Sequence, residues 1–232
     1  MEFFTPTETD AIVLSIQVAL VAVASSLPLG IAVAWVLVRF QFPGKIMLDA
    51  IVHMPMILPP VVVGYVLLIL MGRHGIIGEF LYDTLGISFA FTWQGAALAA
   101  AIMAFPLMVR AIRLSMDSVD TGLYAAARTL GAGPVHVFFT ITLPLAMPGI
   151  VTGCLLAFAR SVGEFGATIA FVSSIPGETQ TMPLALYALI NTPGGDAGAL
   201  RLVVAAIVIS LVALIFSEIL ARRMAARSSG AK

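Results

Sequence analysis

Residues 124–144 read YAAARTLGAGPVHVFFTITLP, and this stretch decides how the rest of the chain is arranged. An alanine-led run, Leu123–Leu130, favours a helix. The glycines and the proline in Gly131–Pro134 then predict a turn, because together they interrupt helices strongly. A second short run leads to Pro144, which fits the first turn of a new helix. We therefore expect a helix, a turn and a helix entry that lie outside the bilayer, between two membrane spans.

The composition is that of an integral membrane protein. Of the 232 residues, 60% are hydrophobic and only 10% are charged, and the mean hydropathy is +1.07. A soluble domain is usually about 25% charged. Twelve basic and twelve acidic residues leave no net formal charge, so no nucleic-acid partner is expected. The single cysteine, Cys154, excludes an internal disulfide and is interpreted as a small buried hydrophobe.

Hydropathy predicts an all-α membrane protein with about five transmembrane helices, since about 20 apolar residues cross a bilayer. The approximate bounds of these spans are 11–38, 49–71, 93–109, 144–171 and 201–220. The glycine-rich segment Gly72–Thr92 is expected to be a folded outer loop. Met182–Ile190 is apolar but too short to span, so it is expected to be a re-entrant or interfacial helix.

The basic residues predict the orientation of these spans. The first ten residues contain no Lys or Arg, which argues against a signal peptide and predicts an amino end outside the cell. The clusters of basic residues that flank the predicted spans fall on one side, which is expected to be cytoplasmic and to include the carboxyl end. They are Arg39, Lys45, Arg110, Arg113, Arg128, Arg222, Arg223, Arg227 and Lys232.

Prolines interrupt the second span. Pro55, Pro59 and Pro60 remove three backbone donors, so this helix must be kinked or partly unwound. Irregular backbone at membrane depth is tolerated only where protein covers it or where it faces a watery cavity. The second span therefore either lines a pathway or carries a structural kink packed against its neighbours.

The fourth span contains charges. Arg160 and Glu164 are four residues apart and are expected on one helix face. An unpaired charge there costs at least about 2.5–3.5 kcal/mol, so both should face the protein interior or water. Either the pair fixes helix packing, or Arg160 attracts an anion. The hydroxyls of Ser161 and Thr168 are candidate donors to an oxyanion, and each is also compatible with helix packing. Close approach of another helix is expected at the flanking glycines, Gly163 and Gly166.

The opening stretch resembles a loop found in membrane subunits of ATP-binding-cassette (ABC) importers, with the pattern E-A-A, three residues, G, nine residues, I-x-L-P. The matching positions are Ala126, Ala127, Gly131, Ile141, Leu143 and Pro144, while Ala125 replaces the glutamate. The resemblance implies coupling helices, over about residues 117–143, that seat in a cleft of an ATPase subunit. The coupling residues it implies are Ala126, Ala127, Gly131, Ala132, Gly133, Leu143 and Pro144.

Other segments extend the resemblance over essentially the whole chain. PMILPPVVVGYVLL, MGRHGIIGEF and SVGEFGATIAFVSSIPGETQTMPLALY are similar to molybdate ABC-transporter permeases, more so than to the related sulfate permeases. The resemblance implies one permease domain over residues 1–232 with the type I importer fold, in the cell's inner or plasma membrane. It implies a homodimer with the translocation path between its copies, a cytoplasmic ABC ATPase dimer and a periplasmic or extracellular oxyanion-binding protein. Molybdate is the expected substrate, with tungstate alongside it and sulfate as the alternative. The candidate pathway residues are Pro59, Pro60, Arg160, Ser161, Glu164 and Thr168.

Two other classes of function are weighed against a permease. The sequence lacks the phosphate-binding pattern G-x-x-x-x-G-K-[ST], so ATP would be hydrolysed by another chain. No catalytic residue, metal site or cofactor is predicted, and an intramembrane enzyme would have only His53 with Asp49 to work with. A proton-driven transporter would use Glu164 as its carrier. Neither alternative explains the glycine turn.

Overall fold

The structure, a computed structural model, describes residues 3–229. Lys232 and the side chains of Arg222, Arg223 and Arg227, all predicted to be cytoplasmic, lie outside this description. The described chain is helical, and a π-helical turn, Phe138–Thr142, joins two of its helices. The α-helices are α1 (Pro6–Arg39), α2 (Lys45–Ile57), α3 (Pro60–Met71), α4 (Ile76–Leu85), α5 (Trp93–Asp117), α6 (Thr121–Thr129), α7 (Pro134–Val137), α8 (Leu143–Leu145), α9 (Met147–Val162), α10 (Gly166–Val172), α11 (Met182–Ile190) and α12 (Asp196–Ser229).

Three of these helices are long and apolar enough to cross a membrane: α1, α5 and the Asp196–Phe216 part of α12. Two bent pairs meet the same criteria only when their halves are taken together. They are Lys45–Ile57 with Pro60–Met71, and Pro134–Leu145 with Met147–Val162. The described residues thus hold three to five spans, and the all-helical membrane fold predicted from the sequence is confirmed.

Helix α5 lies at the centre of the bundle because its small side chains let other helices approach. Thirteen of its 25 residues are buried, and Ala96, Ala99 and Ala100 are fully covered. Helices α1, α9 and α10 pack along it, as is typical of membrane helices with alanine-rich faces. The helix also continues to Asp117, about two turns beyond the predicted end of the third span near residue 109.

The second span is broken, as its prolines predict. Helix α2 ends at Ile57, and α3 begins at Pro60 with its axis turned by 113°. Pro60 lies in the first turn of α3, where its missing N–H costs no hydrogen bond. Pro55 remains inside α2, so the break occurs at Leu58 and Pro59, both of which have extended ψ angles.

The prediction that the fourth span is one continuous helix from Pro144 to Phe171 is wrong. Helix α9 ends at Val162, and α10 begins at Gly166. Phe165 adopts φ −126° and ψ −54°, outside the helical region. Glu164 therefore lies in the break between the helices, not on the helix face that carries Arg160.

Pro144 lies in the first turn of the short helix α8, as predicted, although a π-helical turn directly precedes this helix. The chain is helical from Pro134 to Leu145, and the axis bends by 66° before Met147. Pro144 has no N–H and its ring crowds the carbonyl four residues earlier, so a continuous α-helix is unfavourable there. The preceding turn is π-helical, with the N–H of Leu143 bonded to the carbonyl of Phe138.

Two segments between the spans contain short helices. The segment Gly72–Thr92, predicted to be a folded loop, contains the ten-residue helix α4, which the sequence analysis missed. Helix α11 has the bounds Met182–Ile190 predicted for a short, non-spanning helix. Its residues Met182 and Ala185 pack in a cluster with α1 and α12.

Candidate functional site

The glycine turn of the predicted coupling loop depends on one left-handed residue. Asp120 caps α6, since its Oδ1 accepts the N–H of Gly122 at 2.7 Å. Gly131 follows the helix with φ +80°, a conformation that favours glycine. The N–H of Ala132 then donates to the carbonyl of Ala127 at 3.0 Å and closes the helix end. No atom lies within 4 Å of a Cβ placed on Gly131, so its conformation, not lack of space, requires glycine.

The two matched alanines occupy different environments. Ala127 is buried in a small apolar cluster with Val119, Tyr124 and Val137, which holds α6 against α7. Ala126, the preceding residue of the same helix, is exposed. Only Ala126 is therefore free for direct contact with another protein, whereas Ala127 keeps the two short helices together.

The other predicted coupling residues are spread over the end of the loop. Ala132 is half-buried against the same cluster, and Gly133 is exposed just before α7. Leu143 packs on the core shared by α1, α5 and α9, while Pro144 is exposed. These residues thus connect the loop to the transmembrane bundle instead of forming one surface.

Large apolar side chains of this segment are exposed although it lies outside the predicted spans. Leu130 is 88% exposed and Phe139 is 60% exposed. We call four such side chains the coupling surface: Leu123, Leu130, Val135 and Phe139. Exposed apolar side chains of this kind are typical of a partner-binding site. The sequence analysis missed them, although large hydrophobes in a non-spanning segment were a usable signal.

The loop is mechanically joined to the bundle at Ala146, where the chain bends. Ala146 is fully buried, and its carbonyl accepts a hydrogen bond from Ser115 Oγ at 3.4 Å. A Cβ on Gly149 would collide with Ser115, so α9 lies directly against α5 here. The end of the loop and the start of α9 are therefore packed directly against α5.

The break between α9 and α10 holds an ion pair. Arg160 Nη1 lies 2.5 Å from Glu164 Oε2, and the Glu164 side chain is only 2% exposed. Apart from this ion-pair contact, Glu164 Oε2 has no partner among the described residues. Glu164 Oε1 accepts the N–H of Ala167 at 2.9 Å and satisfies one donor at the start of α10. The pair predicted from the spacing thus forms, although Glu164 lies in the helix break and not on a continuous helix.

The two broken spans touch each other at their breaks. A Cβ on Gly166 would lie 2.7 Å from the Cβ of Pro60, and a Cβ on Gly64 would collide with the carbonyl of Ala167. The close approach expected at Gly166 is therefore real, and its neighbour is the proline-rich span. The fold thus brings two predicted pathway segments together.

The remaining predicted pathway residues differ in accessibility. Pro59 is exposed, and Arg160 keeps 31% of its side chain exposed. Ser161 and Thr168 are 4% and 1% exposed, and the hydroxyl of Ser161 has no hydrogen-bond partner among the described residues. In the single chain, an anion at the surface would meet Arg160 before either hydroxyl.

The Asp49–His53 pair, which an intramembrane enzyme would have needed, does form, with His53 Nδ1 3.4 Å from Asp49 Oδ1, but Asp49 is also held by α5. Asp49 Oδ1 accepts a hydrogen bond from Arg113 Nη1 at 2.9 Å, and His53 Nδ1 lies 2.9 Å from the Asp49 carbonyl. Arg113 also lies 3.9 Å from Asp117. These contacts join α2 to α5, and they give the charges of Asp49, Arg113 and Asp117 a structural role.

One ion pair was not predicted. Glu8 on α1 and Arg201 on α12 are joined by two parallel hydrogen bonds of 2.6 and 2.9 Å. Glu8 is 5% exposed and also accepts the N–H of Thr5, which in turn caps α1. The partners are 193 positions apart in the sequence, so no sequence pattern indicated this contact.

The described residues form a helical membrane subunit in which a segment of short helices connects α5 to α9. The family described as "Binding-protein-dependent transport system inner membrane component" matches residues 26–226. The chain belongs to this family, and the permease class predicted from the sequence is confirmed.

Relatives with assigned names show which permeases of this family the chain is similar to. The chain is 62% identical to the molybdenum transport system permease protein ModB of Escherichia coli K12, over 94% of this chain and 95% of that protein. It is 55% identical to the protein of the same name in Haemophilus influenzae, with the same coverage. A probable sulfate transport system permease protein of Chlorokybus atmophyticus is 36% identical over 78% of this chain and 63% of its own length.

Solved structures support the fold. A bacterial ABC transporter involved in alginate import superimposes with a TM-score of 0.76, covering 95% of this chain and 81% of that chain at 17% identity. The MetNI methionine ABC transporter in an inward-facing conformation gives a TM-score of 0.69, covering 92% and 94% at 19% identity. The ABC importer permease fold predicted from the sequence is thus confirmed.

Proposed function

We propose that this chain is the membrane permease subunit of an ATP-driven molybdate importer that also accepts tungstate. The relatives of 62% and 55% identity, which are named as molybdenum permeases and match nearly end to end, carry this proposal. The sulfate permease relative is more distant and matches less of its own length, so sulfate is the second candidate substrate.

The coupling surface is the proposed contact with a separate ATPase dimer. Its exposed apolar side chains would be buried in a cleft of the ATPase, where their removal from water stabilises the complex. The cluster around Ala127 makes the loop a rigid unit, so a push on the coupling surface moves α7 and the bend at Ala146 together. The loop over about residues 117–143 then serves as the coupling loop of a single permease domain, 1–232.

The proposed orientation places this loop in the cytoplasm and the amino end outside. Arg39, Lys45, Arg110, Arg113 and Arg128 would then all lie on the cytoplasmic side, as basic flanking residues do in most membrane proteins. The Glu8–Arg201 pair would lie on the outer side, where a periplasmic or extracellular oxyanion-binding protein delivers substrate.

The proposed path runs between two copies of the chain. Pro59, Arg160 and the adjoining helix breaks would line it, since irregular backbone at membrane depth is stable when it faces a watery cavity. Closure of the ATPases on ATP would shift α9 through the bend at Ala146, and the paired breaks would then part. In this mechanism Glu164 holds Arg160 in place and is not a proton carrier.

Reconstitution tests the proposal directly. The purified chain is placed in vesicles together with its partner ATPase and its binding protein. ATP-dependent uptake of labelled molybdate, tungstate and sulfate is then measured. We expect molybdate uptake that requires both partners and survives a proton uncoupler. Uptake of sulfate alone would select the second candidate, and uptake without ATP would overturn the proposal.

The coupling surface has its own test. Leu130→Ser should weaken ATPase binding in a pull-down from detergent, whereas Leu114→Ser, at another exposed leucine outside the surface, should leave it intact. Equal binding by both variants would show that the surface is not the ATPase contact.

A further inference from the structure

A cavity of about 390 Å³ lies between the end of α1 and the coupling loop, and nothing in the transport mechanism uses it. Its lining contains two arginines and no carboxylate. The lining residues are Trp35, Arg39, Phe40, Tyr124, Arg128, Pro134, Val137 and Thr142. Within the described part of the chain, neither Arg39 nor Arg128 takes part in an ion pair, unlike Arg113, Arg160 and Arg201.

The donors of this cavity are held in place. The Arg39 guanidinium carbon lies 4.5 Å from the centre of the Tyr124 ring, so the ring supports one face of the group while its edge N–H donors stay free. Thr142 Oγ1 and the Tyr124 hydroxyl are 3.2 Å apart and share one hydrogen bond. Because each hydroxyl carries a proton, this pair keeps one proton that no group among the described residues accepts.

The position of the cavity along α1 places it at the membrane surface. Arg39 is the first charged side chain after the charge-free stretch from Ala11 to Val38, so its guanidinium lies at the end of the apolar part of α1. Trp35 stacks edge-on with Phe40 at 5.3 Å and packs on Phe138 at 4.9 Å. Aromatic rings of this kind mark the level of lipid headgroups.

We propose that this cavity binds the phosphate group of an anionic phospholipid, with Arg39 and Arg128 as the charged donors and the Tyr124–Thr142 pair as the neutral one. A tetrahedral oxyanion with several acceptors suits two guanidinium groups and a hydroxyl. Basic pockets between membrane helices on the cytoplasmic side bind such headgroups, and this cavity lies on the side we propose to be cytoplasmic. A lipid held here bridges the end of α1 and the coupling loop.

The test is lipid binding to the purified full chain. Native mass spectrometry is run on protein in detergent with equal amounts of phosphatidylglycerol and phosphatidylcholine. The wild type should retain phosphatidylglycerol preferentially. Arg39→Gln and Arg128→Gln should each weaken that retention roughly fivefold, as expected for one basic residue near an anionic lipid. The control, Arg110→Gln, removes an exposed arginine from the same side of the fold and should leave retention unchanged.

The other outcomes overturn the proposal. Equal loss with Arg110→Gln would mean that retention follows only total charge. Displacement of the lipid by an excess of inorganic phosphate would show that the cavity takes a free oxyanion instead. Displacement by a bound ATPase partner would assign the two arginines to a protein interface. None of these readouts depends on which substrate the chain transports, so the two proposals fail separately.

Discussion

Gly166 lies so close to Pro60 that a Cβ on the glycine would approach the proline Cβ to 2.7 Å. This contact joins the breaks of two membrane spans. Each break alone would cost free energy, because it leaves irregular backbone at membrane depth. At the break in the second span, Pro60 removes a backbone donor. At the break in the fourth span, Glu164 leaves the helix and its Oε1 accepts a backbone N–H. Each break thus covers part of the other, and irregular backbone at membrane depth is tolerated where protein covers it or where it faces a watery cavity.

Gly166→Ala is therefore expected to destabilise the protein by about 1–3 kcal/mol, because a methyl group is forced against a rigid proline ring. The matched control is Gly163→Ala, where the nearest atom to the new Cβ is 3.9 Å away. Thermal unfolding in detergent should show a clear decrease for the first variant and little change for the second. Equal melting temperatures would mean that the contact is not close in the protein.

Substitution of Glu164 separates the two interpretations of its pair with Arg160. Glu164→Gln leaves a charge without its counter-charge and should lower the melting temperature, since breaking a buried pair costs about 3–5 kcal/mol and Arg160 is only partly buried. The double variant Arg160→Met/Glu164→Gln should recover most of that stability.

Uptake by the double variant then decides the role of Arg160. We expect a folded protein that no longer transports, because the cation that meets the anion is gone. Normal transport by the stable double variant would show that the pair only fixes helix packing.

The pair formed by Glu8 and Arg201 should stabilise the contact between α1 and α12. Glu8→Gln is expected to cost about 1.5–3 kcal/mol, since hydrogen bonds to charged groups are worth that much and Glu8 is 5% exposed. Asp10→Asn, at an exposed acidic residue two positions along on the same helix, is the control and should be neutral. Unfolding by a denaturing detergent measures both, and an unchanged Glu8→Gln protein would contradict the expectation.

Gly131→Asp should leave the transmembrane bundle folded yet abolish ATP-linked uptake. The aspartate's backbone would have to adopt φ +80° at the end of α6, a conformation that favours glycine. The short helices are therefore expected to change their relative position while the spans do not. Gly177→Asp is a close control, because Gly177 has φ +79° and equally open surroundings outside the coupling loop. Uptake should persist in that variant, and equal uptake by both would argue against a coupling role for Gly131.

Much of the site could be predicted because its signals are local. The turn at Gly131 and the helix over residues 123–130 follow from residues adjacent in sequence, and the structure places α6 there. The break at Pro59 follows equally from consecutive prolines. The break after Val162 could not be predicted in this way, because SVGEFGAT contains no proline. It is stabilised by the contact of α10 with α3 and by the bond from Glu164 to Ala167.

Sequence alone determined that this chain is a multi-span helical membrane protein with a glycine turn between two predicted spans. Hydropathy, proline and glycine allow this because they affect the conformation of the residues next to them in the sequence. Only the tertiary structure decided that the two broken spans cover each other, that Glu8 reaches Arg201, and that Ala127 is buried while Ala126 is free. These are contacts between residues on different helices, and burial depends on which helices meet. Periodicity along one segment contains no information about its neighbour, so such contacts appear only when the chain is folded.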